Sequence, residues 1–292
     1  MSKSQDASYE GRIKATRLFR GAICILLCIL SLLPFYIMII NATRESTEIA
    51  KGISLLPGSK FIDNFKGIFE KFSPDLGFQL SLGKAMLNSI IVVIPTVILQ
   101  VYFATLTAYG VTVYNFKFKK AAWAFIYAIM MIPTQVSIVG FMQFMMKIDL
   151  YDTYWPLIIP AMAAPSTVYF MKQYMSSGLS LEIVEASRID GAGEFRTFNT
   201  IVLPLMKPAI ATQAIFGFVG TWNNLYGPTM LLSSPSKGTM PMFVSMIQSN
   251  DKQRDFGVIY MGLFITVIPI MIAYFMLSKY IVAGVALGGV KE

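Results

Sequence analysis

Between Lys84 and Lys117 the chain carries no charged side chain. An uncharged, apolar stretch longer than the ~20 residues needed to cross a bilayer core is a membrane span before it is anything else. Five further segments show the same character, and together the spans fall at about 21–40, 85–113, 121–146, 155–171, 209–232 and 256–278. In lipid only helices or closed barrels satisfy their own backbone. Barrel strands would alternate apolar and polar residues, and these runs are continuous. The expected fold is therefore all-α and polytopic, with six transmembrane helices.

Composition agrees. Charged residues make up 14% of the 292 residues and hydrophobic ones 55%, where a soluble domain carries roughly 25% charged. A soluble enzyme, a disordered chain and a nucleic-acid binder are excluded on that ground. The net charge of +8 comes from basic residues at the ends of apolar runs, where they orient the spans. The chain has no histidine, which removes a Ser-His-Asp triad and any His-ligated metal site. No metal site and no catalytic residue are expected. Cys24 and Cys28 are two small apolar residues on one helix rather than a disulfide framework.

The first span has a basic flank but no small-x-small cleavage site after Ile39, Ile40 and Asn41, so it reads as retained. The segment before it (Lys3, Arg12, Lys14, Arg17 and Arg20 against Asp6 and Glu10) and the loop YNFKFKK after span two read as cytoplasmic. The loop KIDLYDTY and the charge-balanced segment 42–83 read as external. The expected organisation is a cytoplasmic tail 1–20, a transmembrane domain 21–280 and a cytoplasmic tail 281–292, N-in and C-in. Pro34, Pro95, Pro133, Pro160, Pro165 and Pro269 fall inside spans, either kinking a bundle around a cavity or as ordinary packing kinks.

The span cores contain no Asp, Glu, Lys, Arg or His, which disfavours proton relays and charge-selective pores. They do contain Asn88, Gln100, Thr134, Gln135, Gln143, Gln213, Asn223 and Asn224, accompanied by Tyr102, Tyr109, Tyr127, Trp222 and Tyr226. Such amides either glue helices together, at about 0.6 kcal/mol each, or line a path for a neutral, polyhydroxylated solute. On a continuous helix Gln213 and Asn224 share a face while Asn223 points elsewhere. That wheel makes Gln213 and Asn224 cavity-facing, with Trp222 or Tyr226 as a sugar-stacking platform and Gln135 beside the break at Pro133. Gly217 and Gly220 admit a close neighbour on their side.

The segment 172–207 is too polar to span. Ser180 is a candidate cap for a helix over 181–190, with Glu182 in its first turn and Gly191 as its stop. Glu185 and Arg188 are spaced as an i,i+3 pair, Ile183, Val184 and Ile189 are placed toward the membrane domain, and Ala186 and Ser187 leave a low docking surface. A second amphipathic helix carries Phe195, Phe198 and Ile201 and ends at Leu203-Pro204. Two helices joined by a glycine elbow suit a docking element or a plain interfacial loop.

EASRIDGAGEFRTFNTIVLP resembles the signature of binding-protein-dependent ABC importer permeases, E-A-A-x3-G-x9-I-x-L-P. Glu185, Ala186, Gly191, Ile201, Leu203 and Pro204 match it, with Ser187 in place of the second alanine. SLLP, LNSIIV, AYGV, WPLIIP, TWNNLYGP and the tail AGVALGGVKE are similar to the second permease subunit of maltose-type oligosaccharide importers. The resemblance implies a MetI-like permease fold and a coupling helix, Glu185–Gly191 with Asp190 in it, that inserts into an ATPase subunit. It also implies a second permease, two ATPase subunits, an extracellular sugar-binding protein and a carbohydrate substrate, in a bacterial plasma membrane. By the same resemblance the tail reaches between the ATPase subunits. The chain has no G-x4-G-K-[ST] loop, and Gly191-Ala192-Gly193 is no dinucleotide loop, so ATP and Mg belong to another chain. The alternative is an ATP-independent carrier of a neutral solute, which predicts an internal repeat; none is visible in the sequence.

Overall fold

The computed structural model describes residues 2–249 and 255–288, with side chains described from residue 16 to 280 except at 75, 134 and 250–254. The side chains of Lys3, Asp6, Glu10, Arg12, Lys14 and Thr134, and the tail from 289 on, lie outside the described residues. The described chain is helical. Its helices are α1 (Ser2–Ala42), α2 (Ser46–Ala50), α3 (Phe61–Lys71), α4 (Leu82–Val113), α5 (Lys119–Met130), α6 (Thr134–Lys147) and α7 (Trp155–Ile158). There follow α8 (Pro165–Gly178), α9 (Leu181–Ile189), α10 (Glu194–Leu205), α11 (Lys207–Trp222), α12 (Tyr226–Leu231), α13 (Met240–Ser249) and α14 (Phe256–Gly288).

Among the described residues three helices are long and apolar enough to cross a membrane: Thr16–Ala42, Leu82–Val113 and Phe256–Tyr280. The other expected spans are broken. Span three is α5 and α6, meeting at 100° across Met131–Pro133. The expected fourth span falls on α7, a 3-10 turn Ile159–Met162 and α8, which are not among the described helices or bent pairs long and apolar enough to cross. The described residues thus hold three such spans, or up to five with each bent pair as one. Span five stops at Trp222 and resumes at Tyr226, and α10 bends into α11 by 78° at Met206. The prolines explain part of this division. Pro34, Pro95 and Pro269 sit inside continuous helices. Pro133, Pro160 and Pro165 stand at helix starts, where a missing N–H costs nothing. The terminal segments are helical too: α1 starts at Ser2, and α14 runs through the first eight tail residues to Gly288.

The chain divides into two compact units, 1–68 with 252–264 and 69–251 with 265–292. In the first, buried Asn64 donates to the carbonyls of Ala42 and Arg44, both at 2.9 Å, and so ends α1 on α3. Gly257 packs on the same corner, where a Cβ would lie 2.6 Å from the Arg44 carbonyl. The expected external segment thus contains two ordered helices, α2 and α3. In α1, Leu26, Ile29, Leu30 and Leu32 are exposed, as side chains offered to lipid or to another subunit are.

The second unit is built on α4. Ala104, Ala108 and Tyr109 of α4 pack with Val168, Met171 and Met175 of α8, Val184 of α9, Phe198 and Val202 of α10, and Ala209 of α11. Small residues on α4 let the other helices approach closely. Two span amides act as glue. Asn88 donates to the carbonyls of Ser236 (3.1 Å) and Gly238 (2.9 Å). Gln100 donates to Thr167 Oγ1 at 2.7 Å while its Oε1 fills the space beside Gly217. Gly217 is therefore the close approach expected of it; Gly220 faces open space.

A Cβ at Gly217 would lie 2.7 Å from Gln100 Oε1. Because the atom met is the end of a flexible side chain, Gly217→Ala is expected to cost about 0.5–1.5 kcal/mol, that of the Gln100–Thr167 bond it displaces, read as a lower unfolding midpoint in detergent. Combined with Gln100→Ala, the loss should fall well short of additive. Additive losses would mean that the two positions do not share this space.

Candidate functional site

Helix α9 begins at Ser180, whose backbone is extended as at an N-cap, though its hydroxyl makes no capping bond. It ends as expected at Gly191, with φ +78°. The Gly191 N–H donates to the Arg188 carbonyl and the Ala192 N–H to the Ser187 carbonyl, both at 3.0 Å. That bond pair is a Schellman stop, and it needs a left-handed residue at 191.

One face of α9 is inserted. Val184 is 1% exposed, and the buried Ser187 hydroxyl meets Thr197 Oγ1 at 2.6 Å. Ser187 is therefore an inward residue that ties α9 to α10, not part of a low outer surface. Ile183 is half exposed and Ile189 is 86% exposed. Only Val184 of the three apolar residues expected to turn inward does so, because at 100° per residue the other two leave the 184/187 face. Glu185, Ala186 and Asp190 are exposed. With Leu181, Ile183, Ile189 and Phe195 they form a mixed apolar and acidic outer surface.

The expected Glu185–Arg188 pair does not form. Arg188 Nε instead donates to Glu194 Oε1 at 2.6 Å across the elbow, a partner reachable only once the chain has turned at Gly191. Glu194 Oε2 accepts the Tyr109 hydroxyl of α4 at 2.9 Å, and the Arg188 guanidinium lies over the Tyr114 ring at 5.6 Å. The hydrogen bond from Arg188, then that from Tyr114, hold the Glu194 carboxyl down at about 2. Its contribution to stability is whole above the ordinary carboxylate value and fades only as pH falls through about 2.

In α10 a π-turn over Phe198–Val202 shifts the buried face. Thr197, Phe198 and Val202 are buried, whereas Phe195 is 71% exposed and Ile201 and Leu203 are half-buried. Pro204 is exposed, and α10 ends at Leu205, one residue beyond the expected stop at Leu203-Pro204.

The expected path residues are not on one helix face. Helix α11 closes at Trp222, with the Asn223 N–H on the Val219 carbonyl and the Asn224 N–H on that of Thr221. Asn224 Oδ1 then accepts the Gly227 N–H at 3.0 Å, which starts α12. The two asparagines are a stop and a start, so the wheel that aligned Gln213 with Asn224 does not extend to 224. Trp222 is 1% exposed, stacked on Phe218 at 5.6 Å, and donates Nε1–H to the Thr266 carbonyl at 3.0 Å. Its ring is a core anchor, leaving Tyr226, which is half exposed, as the free aromatic. Asn223 and Gln135 are exposed and Gln213 is half-buried. Asn224 lines a cavity of about 20 Å³ with Ser89, Thr221 and Thr239, room for about one water and far below a sugar-sized pocket.

A further cluster carries no signal in the sequence beyond an acid in a loop. Asp152, at φ +58°, accepts the N–H groups of Ser233 and Ser234 at 3.0 Å, the Ser234 hydroxyl at 2.6 Å and the Lys237 ammonium at 2.8 Å. Burial opposes its ionisation, but these donors win and hold the carboxyl well below the usual range. Removing the carboxylate in Asp152→Ala is expected to cost about 1.5–3 kcal/mol. The difference from the parent should persist above pH 4 and vanish in stronger acid, where the parent carboxyl is itself protonated. Equal midpoints at pH 7 would show that this clamp contributes nothing.

Residues 100–286 match the family model described as binding-protein-dependent transport system inner membrane component. The chain is 32% identical over 265 residues to the arabinooligosaccharides transport system permease protein AraQ of Halalkalibacterium halodurans, covering 90% of this chain and 92% of that one. It is 32% identical over 268 residues to the maltodextrin transport system permease protein MdxG of Bacillus subtilis, covering 91% and 93%. It is 26% identical over 255 residues to the sn-glycerol-3-phosphate transport system permease protein UgpE of Pectobacterium atrosepticum, covering 87% and 90%. In fold it superimposes on a chain from the crystal structure of a bacterial ABC transporter involved in the import of the acidic polysaccharide alginate. The TM-score is 0.75 at 20% identity, over 91% of this chain and 97% of that one. By the family model and these relatives, the chain belongs to the binding-protein-dependent transport system inner membrane components, multi-pass permease subunits of bacterial ABC importers and not enzymes.

Proposed function

We propose that this chain is the second permease subunit of an ATP-driven, binding-protein-dependent oligosaccharide importer. It would form the path with a first permease and dock two ATPase subunits, which carry ATP and Mg, while an extracellular sugar-binding protein delivers the substrate. The observation that carries this reading is α9, held by Val184 and Ser187 while Glu185, Ala186 and Asp190 stay exposed beside Leu181, Ile183 and Ile189. Such a surface fits a partner's groove better than it fits water. Relatives named for arabinooligosaccharides and maltodextrin, and span cores with amides but no charge, support a neutral sugar.

In this reading the chain crosses six times, N-in and C-in, with broken spans three to five lining the path. The bond from Tyr109 to Glu194 supports one part of that topology. That bond joins α10 to the end of α4 that leads into Lys117, Lys119 and Lys120, the side expected to be cytoplasmic, which supports a cytoplasmic position for the proposed coupling segment. Gln135, Gln213, Asn223, Asn224 and Tyr226 remain the proposed path residues, and the tail 281–292 is proposed to reach the ATPase interface.

The test is co-expression with the candidate first permease and ATPase subunits. The parent should co-purify with both, and Glu185→Lys should reach the membrane but lose the ATPase. Proteoliposomes of the whole complex should take up arabinotriose or maltotriose in preference to sn-glycerol-3-phosphate. ATPase retention by Glu185→Lys would remove α9 as the docking surface, and preference for the phosphate would remove the neutral-sugar assignment.

A further inference from the structure

The glycines of the elbow between α9 and α10 do not themselves hold its angle; Val184 of α9, packed with Phe198 and Val202 of α10, and a few polar groups do. Gly191 and Gly193 both face open space, with no atom within 4 Å of where a Cβ would stand. Glycine is also the residue with the broadest backbone freedom. Yet a helix that is pushed by a partner can move the membrane helices only if the joint behind it is stiff. The polar groups that cross the joint are few. Ser187 meets Thr197 on the buried side, and on the other side Arg188 of α9 donates to Glu194 of α10 at 2.6 Å. The second oxygen of that carboxylate accepts the hydroxyl of Tyr109, in the last turns of α4, at 2.9 Å. Tyr109 is itself 3% exposed and packs on Phe198 at 5.5 Å, so it cannot swing away with the elbow.

We infer that Glu194 is a positioning residue of the coupling machinery: its carboxylate staples the glycine elbow shut through Arg188 and fastens it to the end of α4 through Tyr109. This rests on the reading of α9 as the surface that receives the ATPase. The two oxygens have separate tasks. One sets the angle between the two short helices, and the other converts a movement of that pair into a movement of the one helix around which the second unit is packed. Docking is left to α9: the Glu194 side chain is 43% exposed, but its two oxygens are taken by Arg188 and Tyr109. The carboxylate stays ionised at any physiological pH, held there first by Arg188, so the staple does not open with ordinary changes of acidity. A charge-assisted bond of this kind is about twice as strong as a neutral one, and a bond to a carboxylate with two acceptor oxygens can serve both donors at once.

The experiment is a spin-label distance measurement on the full chain in lipid nanodiscs, with Cys24 and Cys28 replaced by Ser. Labels go on Glu182→Cys of α9 and Lys120→Cys beyond α4, both exposed positions. The parent should give one narrow distance population. Glu194→Ala should lose it and give a broad distribution, while ATPase subunits still co-purify and ATP-driven uptake falls. Combining Arg188→Glu with Glu194→Arg should return the narrow population, which a mere packing defect would not. A narrow population in Glu194→Ala would overturn the inference, because Val184 and Phe198 would then suffice to hold the angle. A broad one in the charge-exchanged pair would overturn it too. Failure of the parent to bind ATPase subunits would instead remove the reading of α9, and the elbow result would stand apart from it.

Discussion

A Gly191→Pro permease is expected to reach the membrane in normal amount and to lose ATP-linked transport. The parent backbone at 191 sits at φ +78°, and proline is locked near −65°. The substitution also deletes the N–H that donates to the Arg188 carbonyl. Both halves of the Schellman stop fail, and α9 can no longer leave the elbow in the direction that exposes Glu185. The local penalty is about 3 kcal/mol or more, spent on a surface segment rather than on the core around α4, so folding survives. Gly191→Ala separates the two causes. Its methyl group would meet no atom within 4 Å, and the left-handed backbone costs about 1–2 kcal/mol, so it should retain part of the transport. The measurements are membrane abundance, ATPase co-purification and uptake into proteoliposomes. Parent-level uptake by the proline variant would show that the elbow is not a working part.

Trp222→Ala should give the largest loss of stability of any single truncation considered. The side chain is buried, stacked and hydrogen-bonded to the Thr266 carbonyl, and removing such a ring costs about 3–5 kcal/mol. Trp222→Phe keeps the stacking on Phe218 and loses the Nε1 bond, at about 1 kcal/mol. Tyr226→Ala, at an exposed ring, should leave the unfolding midpoint nearly unchanged and is the variant in which a sugar-stacking role would show as a shifted sugar dependence. A shifted sugar dependence in Trp222→Phe at unchanged stability would return Trp222 to the path.

These two outcomes trace the line between what could be read from the chain and what could not. The start of α9 at 181 and its stop at Gly191 are local: a periodic apolar pattern, an acid in the first turn and a glycine where the backbone must turn left-handed. Such features depend on neighbours a few residues away. The partner of Arg188 depends on the elbow having folded, and Glu194 looks no different from Glu185 until it has. On α10 the π-turn over Phe198–Val202, which no residue type announces, bears on Ile201 but not on Phe195, which precedes it. At Trp222 the signal was present and outweighed. Two consecutive asparagines compete with the helix for backbone hydrogen bonds, but they stand in a run apolar enough to read as a continuous span. The mid-membrane amides divided along the same line. Asn88 and Gln100 proved to be glue once their partners 67 to 150 residues away were in place, which no spacing within a helix could have told.

The first helix has a mechanical consequence of its own. Its 41 residues rise about 1.5 Å each, giving a rod of about 60 Å, whereas the hydrocarbon core is about 30 Å thick. About 30 Å of the rod lies outside the hydrocarbon core, and the part beyond the headgroup layer stands clear of the lipid as a mast. A tilt of about 20°, ordinary for a membrane helix, would sweep the tip of that mast sideways by roughly 10 Å. Small reorientations within the bilayer would therefore be written large toward the Ser2 end of the helix, where a fluorophore on the mast would report them from outside the membrane.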